Sequence, residues 1–370
     1  MNATLAVLYD GWHLIYHPNA VESLHLLTLL AHLPQGVEPL LALPAEPPQW
    51  LPPVPTYVRP TPQDEFAHLR WEQHTLPHLA RRLGVSLLHL TTLYAPLFSA
   101  VRAVVSPGGF EPLASREAFQ QRMGGTTLAA RLRFSLGRGG LTHPHFLLWC
   151  DDLPLPSLPM PTLKLPPIVH PLLDQAGEDL LPSTTEVDLP ETFVLYHGPS
   201  SRRDVEHLLE AWSWAAASIG GDFPLLIAGL SREGRAHLHG LLQGSDLAES
   251  IHLLPNLAPL ALLGLYRRCT ALFHPARLSP WDMTLRSALA LGKPVVSIEH
   301  PWSDAIVGEA AYLIPEADTR NLGAAIITVI VEEEVALRLS QAALRRAASW
   351  KVASFGAALW QAYQQILQDA

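Results

Sequence analysis

The strongest constraint on the fold is an alternation that fills residues 192–315. Short apolar, β-prone runs recur, and each is followed by a segment with helical spacing. "TFVLYHG" (192–198) leads into "RDVEHLLEAWSWAAAS" (203–218), and "FPLLIAG" (223–229) into "EGRAHLHGLLQG" (233–244). "SIHLLP" (250–255) leads into "PLALLGLYRRC" (259–269), and "ALFHP" (271–275) into a helix over 283–291. "KPVVSI" (293–298) and "AAYLIP" (310–315) are the last strands, with helices at 319–333, 334–348 and 355–367. Strands that are apolar throughout, alternating with helices, specify a parallel sheet covered on both faces.

The first half repeats the pattern less regularly. Strands are expected at 4–10, 37–44, 86–92, 101–107 and 145–152. Helices are expected at 20–33, at 65–84 with an interruption near Pro77, and over most of 111–139 with a break at Gly124-Gly125. The proline-rich stretch 153–174 cannot hold a long helix, reads as extended, and is the strongest linker candidate. Two parallel sheets on 370 residues imply two domains, with the ligand cleft at the carboxyl ends of the strands. The division is residues 1–173, a linker at 174–191, and residues 192–354, with 355–370 returning to complete the first domain.

Composition excludes several functions. The net charge is −9, which argues against a nucleic-acid groove and against attraction to anionic membranes. No apolar run approaches the ~18 residues of a membrane span. The N-terminus enters the first strand without a basic region or cleavage site, so no secretory signal is expected. The two cysteines, Cys150 and Cys269, suit a reduced, cytoplasmic protein and offer no disulfide framework. His143-Pro144-His145 is the densest histidine pair and reads as structural, so no metal is expected.

Five successive segments carry a family resemblance. They are "FVLYHGPSSRRDVEHLLEAW", "FPLLIAG", "LAPLALLGLYRRCTALFHPA", "LRSALALGKPVVS", and "IVGEAAYLIPEAD" followed by "SWKVASFGAALWQAY". In this order they resemble the C-terminal domain of family-4 (group 1) glycosyltransferases over roughly residues 192–367. The resemblance implies a GT-B fold: two Rossmann-like domains facing across a cleft, with the last helix crossing back to the N-terminal domain. It implies a retaining transferase with a nucleotide-sugar donor and a carbohydrate or glycoconjugate acceptor. The donor would be a substrate, and no cofactor is implied.

The family's site residues can be placed one by one. The glycine and basic pair that hold the donor phosphates fall on Gly198, Arg202 and Arg203. The two glutamates that contact sugar and ribose, counted back from Gly292-Lys293-Pro294-Val295, fall on Ser279 and Ser287. Asp282, Met283 and Thr284 lie on the same turn, within "HPARLSPWDMTLRSALALGKPVVS" (274–297). Asp282 or Thr284 would cap the helix, and an Asp there would repel a diphosphate. The family's His-Asp pair falls on Gly108 and Gly109, and its glycine-rich first loop on "IYHPNAVES", with Pro18, Asn19 and Ala20. His13 and His17 are the histidines near that loop.

Three functions follow. One is a glycosyltransferase with a degenerate donor site. The second is a non-catalytic glycosyltransferase homologue acting as a partner or sugar-binding subunit beside a catalytic protein. The third is a nucleotide-sugar epimerase on the same frame, which would also need carboxylates in the cleft.

Overall fold

Strand β1 (Leu5–Asp10) is apolar on both faces and lies mid-sheet, as its sequence requires. In the computed structural model, which describes residues 4–109, 127–142, 145–156, 158–173, 189–350 and 352–369, it pairs in parallel with two neighbours. These are β2 (Val37–Leu43) and β4 (Leu87–Leu90). The sheet is completed by β3 (Thr56–Val58), β5 (Arg102–Val105), β6 (Phe146–Cys150) and β7 (Thr162–Leu165), in the order β3-β2-β1-β4-β5-β6-β7. All of its pairings are parallel.

The second sheet contains β8 (Val194–His197), β9 (Leu225–Ala228), β10 (Ile251–Leu253), β11 (Ala271–His274), β12 (Val295–Ile298) and β13 (Ala311–Ile314). Its order is β10-β9-β8-β11-β12-β13, again parallel throughout. Each sheet therefore reverses direction at its first strand, between β1 and β4 and between β8 and β11. Those two switch points are where open α/β sheets bind ligands. This is the two-domain α/β architecture that the sequence implies.

Several segments differ from the sequence reading. Part of the proline-rich 153–174 is the edge strand β7, formed by the proline-free run Thr162–Leu165 between Pro161 and Pro166. The expected linker at 174–191 lies largely outside the described residues, as does the Gly124-Gly125 break. The described part of the helix expected over 111–139 is Leu128–Gly140. Near Pro77 the interruption is a π-helical turn, Trp71–Thr75, between the helices Glu65–Arg70 and Leu76–Leu83. A short helix, Trp12–Tyr16, and the three-residue strand β3 were not expected.

The last helix, Val352–Gln368, returns to the first sheet. Phe355, Leu359, Tyr363 and Ile366 are fully buried, while Leu367 is half-buried. Tyr363 Oη bonds Tyr9 on β1 at 2.9 Å and His89 Nδ1 on β4 at 2.5 Å. Arg102 on β5 donates to the carbonyl of Ile366 at 2.7 Å.

The apolar interior forms three clusters. One covers the outer face of the first sheet, around Trp12, Trp71 and Leu79. One covers a face of the second sheet, around Trp212, Phe273 and Ile326. The third is continuous across the domain boundary, running from Tyr9 and Leu27 through Trp281 and Leu285 to Phe355 and Tyr363. An apolar interface that merges with the core holds two domains as one unit, where polar interfaces allow hinge motion.

Candidate functional site

The helix Met283–Ala290 starts at the carboxyl end of β11, where the donor turn was expected. Its N-terminus is capped from within the turn. Asp282 Oδ1 accepts from Leu285 N at 3.0 Å, and Asp282 Oδ2 accepts from Ser279 N at 2.9 Å. Ser279 Oγ accepts in return from Asp282 N at 3.0 Å. Asp282 has φ of 31°, the one positive value at a non-glycine residue among the described residues. Asp tolerates this left-handed conformation because its short side chain bonds the local backbone. Burial pushes its carboxyl up to about 6, and the bonds from Leu285 and Ser279 oppose that rise. The carboxylate therefore occupies the end of the helix that would otherwise receive an anion.

The N-terminal domain covers this turn. Trp281 is buried, and its ring stacks on His25 of the helix Val21–Ala31, with centroids 5.2 Å apart. Arg286, also buried, donates from Nη2 to both oxygens of Asp152 at 3.0 and 2.9 Å. Its Nε donates to the Trp281 carbonyl at 3.0 Å, and its guanidinium lies 5.0 Å from the Trp350 ring centre. The first loop closes the other side. Asn19 Nδ2 donates to Leu257 O at 2.7 Å, and Leu257 N donates to Asn19 Oδ1 at 2.6 Å. His197, the last residue of β8, donates from Nε2 to Asn19 O at 2.7 Å, and its Nδ1 accepts from Tyr266 Oη at 2.6 Å. Burial pushes His197 down to about 4, so it is neutral and this tautomer is fixed by its partners.

The sequence candidates separate into three places. Ser279, Asp282, Met283, Thr284 and Ser287 lie together at the start of the helix, all within the protein interior. Thr284 Oγ1 is 3.5 Å from His197 Nδ1. Gly198 follows β8, where an added Cβ would come within 3.0 Å of Tyr196 Oη. Arg202 and Arg203 begin the helix Arg202–Ile219 and are more than half exposed, at 61% and 59%. They face Glu206 at 4.0 Å and Glu316 at 3.8 Å.

His13 and His17 line a cleft cavity of about 550 Å³ between the domains, together with Glu22, Ser200, Arg232 and Asn256. Their rings are 5.8 Å apart. Burial is the largest cause lowering both histidines; the charges of His17 and Arg133 add to it at His13, while at His17 Glu233 opposes it and Arg133 adds to it. Gly108 packs against His25, where a Cβ would lie 2.6 Å from the His25 Cβ. His25 in turn bonds Ser106 Oγ at 3.1 Å.

His143 and Pro144 lie outside the described residues. His145 is structural: Nε2 donates to Pro96 O at 3.0 Å, and Nδ1 accepts from Ala103 N at 3.2 Å. Both cysteines are free and buried. Among the described residues, one group, Cys150, Asp151 and Asp152, gathers potential metal-ligand atoms within 4.8 Å of one another. Arg286 Nη2 sits 3.4 Å from Cys150 Sγ and bonds Asp152, which fills that place with a cation already. Among the described residues, no helix is long and apolar enough to cross a membrane.

Sequence reasoning missed His25, Asp152 and Arg286. A signal for the last was present: an arginine inside the otherwise uncharged run "MTLRSALAL" must find a distant partner if that helix is buried.

Comparison with known proteins agrees with this geometry. The family model described as Glycosyl transferases group 1 matches residues 182–346. No functionally curated protein matches the sequence. The fold is similar to sucrose-phosphate synthase from Thermosynechococcus elongatus, at 16% identity and a TM-score of 0.69, covering 99% of this chain and 100% of that one. It is similar to Anabaena HepE in complex with UDP and glucose, at 14% identity and a TM-score of 0.65, over 97% and 99% of the two chains. It is also similar to WaaG, a glycosyltransferase involved in lipopolysaccharide biosynthesis, at 13% identity and a TM-score of 0.64, over 98% and 99%. The chain thus has the GT-B fold, and its C-terminal half is related to the group 1 glycosyl transferases.

Proposed function

We propose that this chain is a non-catalytic glycosyltransferase homologue that acts as a partner or sugar-binding subunit. One observation carries the reading: the Asp282 carboxylate caps the helix Met283–Ala290 beneath a buried Trp281 and Arg286. A donor diphosphate at that helix end would meet a carboxylate, and the sugar would meet packed side chains. Ser279, which stands at the first glutamate position, spends its hydroxyl on the Asp282 amide. An epimerase would need a free carboxylate on the donor turn, and the one there is bound into the cap.

A transferase that opens before binding is the second reading, favoured by the family match and by the cavity beside His13 and His17. On that reading Gly198, Arg202 and Arg203 hold the phosphates. Ser279, Met283, Thr284 and Ser287 then line the sugar and ribose. Assays with UDP-, GDP- and ADP-linked sugars, with turnover and hydrolysis both read, separate the two. The first reading expects neither above background.

A further inference from the structure

Asn19 makes three hydrogen bonds, and all of them cross the domain boundary. Its side-chain amide pairs edge-on with the backbone of Leu257, giving to the carbonyl at 2.7 Å and taking from the N–H at 2.6 Å. Its own carbonyl takes the His197 Nε2–H at 2.7 Å. The turn that presents it is built for the purpose. Ala20 N bonds His17 O at 2.8 Å across a β-turn with Pro18 at its second position, and Ser23 Oγ bonds the same carbonyl at 2.9 Å. Gly229, with φ of 79°, gives the turn room, since a Cβ there would lie 2.8 Å from Asn19 O.

The place it fills is not ordinary interface. Leu257 follows β10 at the carboxyl end of the second sheet, on the side where such sheets receive ligands. The 550 Å³ cavity abuts it, with Asn19 and Asn256 in its wall. Both backbone groups of Leu257 face the same amide, so whatever replaces Asn19 must also present a donor and an acceptor side by side.

We propose that Asn19 is an internal ligand that occupies a latent amide-reading site, and that the ligand class it excludes is a small cis-amide ring such as the lactam edge of a nucleobase. The N3–H and O4 of uracil present the same donor and acceptor pair as the asparagine side chain. Removing the Asn19 side chain opens the Leu257 backbone to the cavity without separating the domains. The inference is independent of whether the chain transfers sugar, because it concerns binding alone.

The test is a calorimetric titration of the native chain, Asn19→Ala and Asn19→Asp with uridine and with N3-methyluridine, which lacks the donor. Asn19→Ala should bind uridine about tenfold tighter than the native chain or better, the scale of one to two neutral hydrogen bonds. N3-methyluridine should show no such gain. Exchange of the Leu257 amide should speed up in Asn19→Ala and slow again when uridine is added. Asn19→Asp keeps the size and one acceptor but sets a carboxylate against the Leu257 carbonyl; it should gain uridine binding too, and it carries the test if the alanine variant fails to fold. Equal uridine affinity in native and variant chains would overturn the proposal, as would an equal gain for N3-methyluridine.

Discussion

Arg286 and Asp152 are 134 residues apart in sequence and 2.9 Å apart across the domain boundary. Arg286 is fully buried, and Asp152 is 16% exposed. The pair lies beside the apolar cluster that runs through both domains, so charge pairing and packing act at one place. Removing one partner of such a pair leaves a buried charge, and that outcome decides the size of the effect.

Asp152→Ala should therefore destabilise the protein by about 3 kcal/mol, at the low end for buried pairs because Asp152 is partly wet and Arg346 lies 3.8 Å from it. The double variant Arg286→Met with Asp152→Leu should lie closer to the native chain than Asp152→Ala does. Calorimetry should show one cooperative transition for native protein, since the two domains share a core. Two separated transitions would contradict the shared-core account.

Tyr363→Phe tests the crossing helix. It removes the bonds to Tyr9 and His89 and leaves His89 Nδ1 buried without its partner. The expected cost is about 1–3 kcal/mol, the penalty for an unsatisfied buried polar group. Denaturant titration reads it directly, and a change below about 0.5 kcal/mol would show that the network adds little.

Stability should fall in mild acid. Burial pushes His25 and His89 down to about 3, and His170, His197 and His274 down to about 4. Unfolded histidines take up protons below about 6.5, so stability is lost as the pH drops from there toward 4. Asp282 and Glu72 work the other way. Burial raises them to about 6 and about 7, so their contribution is full near pH 4 and is lost as the pH rises through those values. The histidines outnumber the acids, so the melting temperature should be lower at pH 5 than at pH 7. An unchanged or higher value at pH 5 would count against buried neutral histidines.

The serines offer a restoration test. Ser279→Ala should cost about 1 kcal/mol through loss of its bond to the Asp282 amide. Ser279→Glu with Ser287→Glu places two carboxylates in a closed interior and should destabilise the fold by several kcal/mol. Adding Asp282→Gly removes the competing carboxylate and the cap together. That triple variant should still show no sugar transfer, because His25 remains packed on Trp281 over the turn.

The fold was legible because buried parallel strands must be apolar on both faces, and "FVLYHG", "FPLLIAG" and "ALFHP" carry that mark without ambiguity. Strand β3 and the helix Trp12–Tyr16 were too short to show a period. The self-capped turn was legible too, since Asp282 stands immediately before a helix start in sequence. The cover over it was not. Asn19 with Leu257, His25 with Trp281 and Asp152 with Arg286 are pairings between distant segments, and no local spacing encodes them.

The central claim is that the donor turn is closed to a nucleotide-sugar and supports no turnover. Its most direct measurement is a product assay on the purified native chain with UDP-glucose, GDP-mannose and ADP-glucose, following free nucleotide diphosphate over time. The account predicts no release above the protein-free control. Robust release by the native chain, lost on Ser279→Ala, would contradict it.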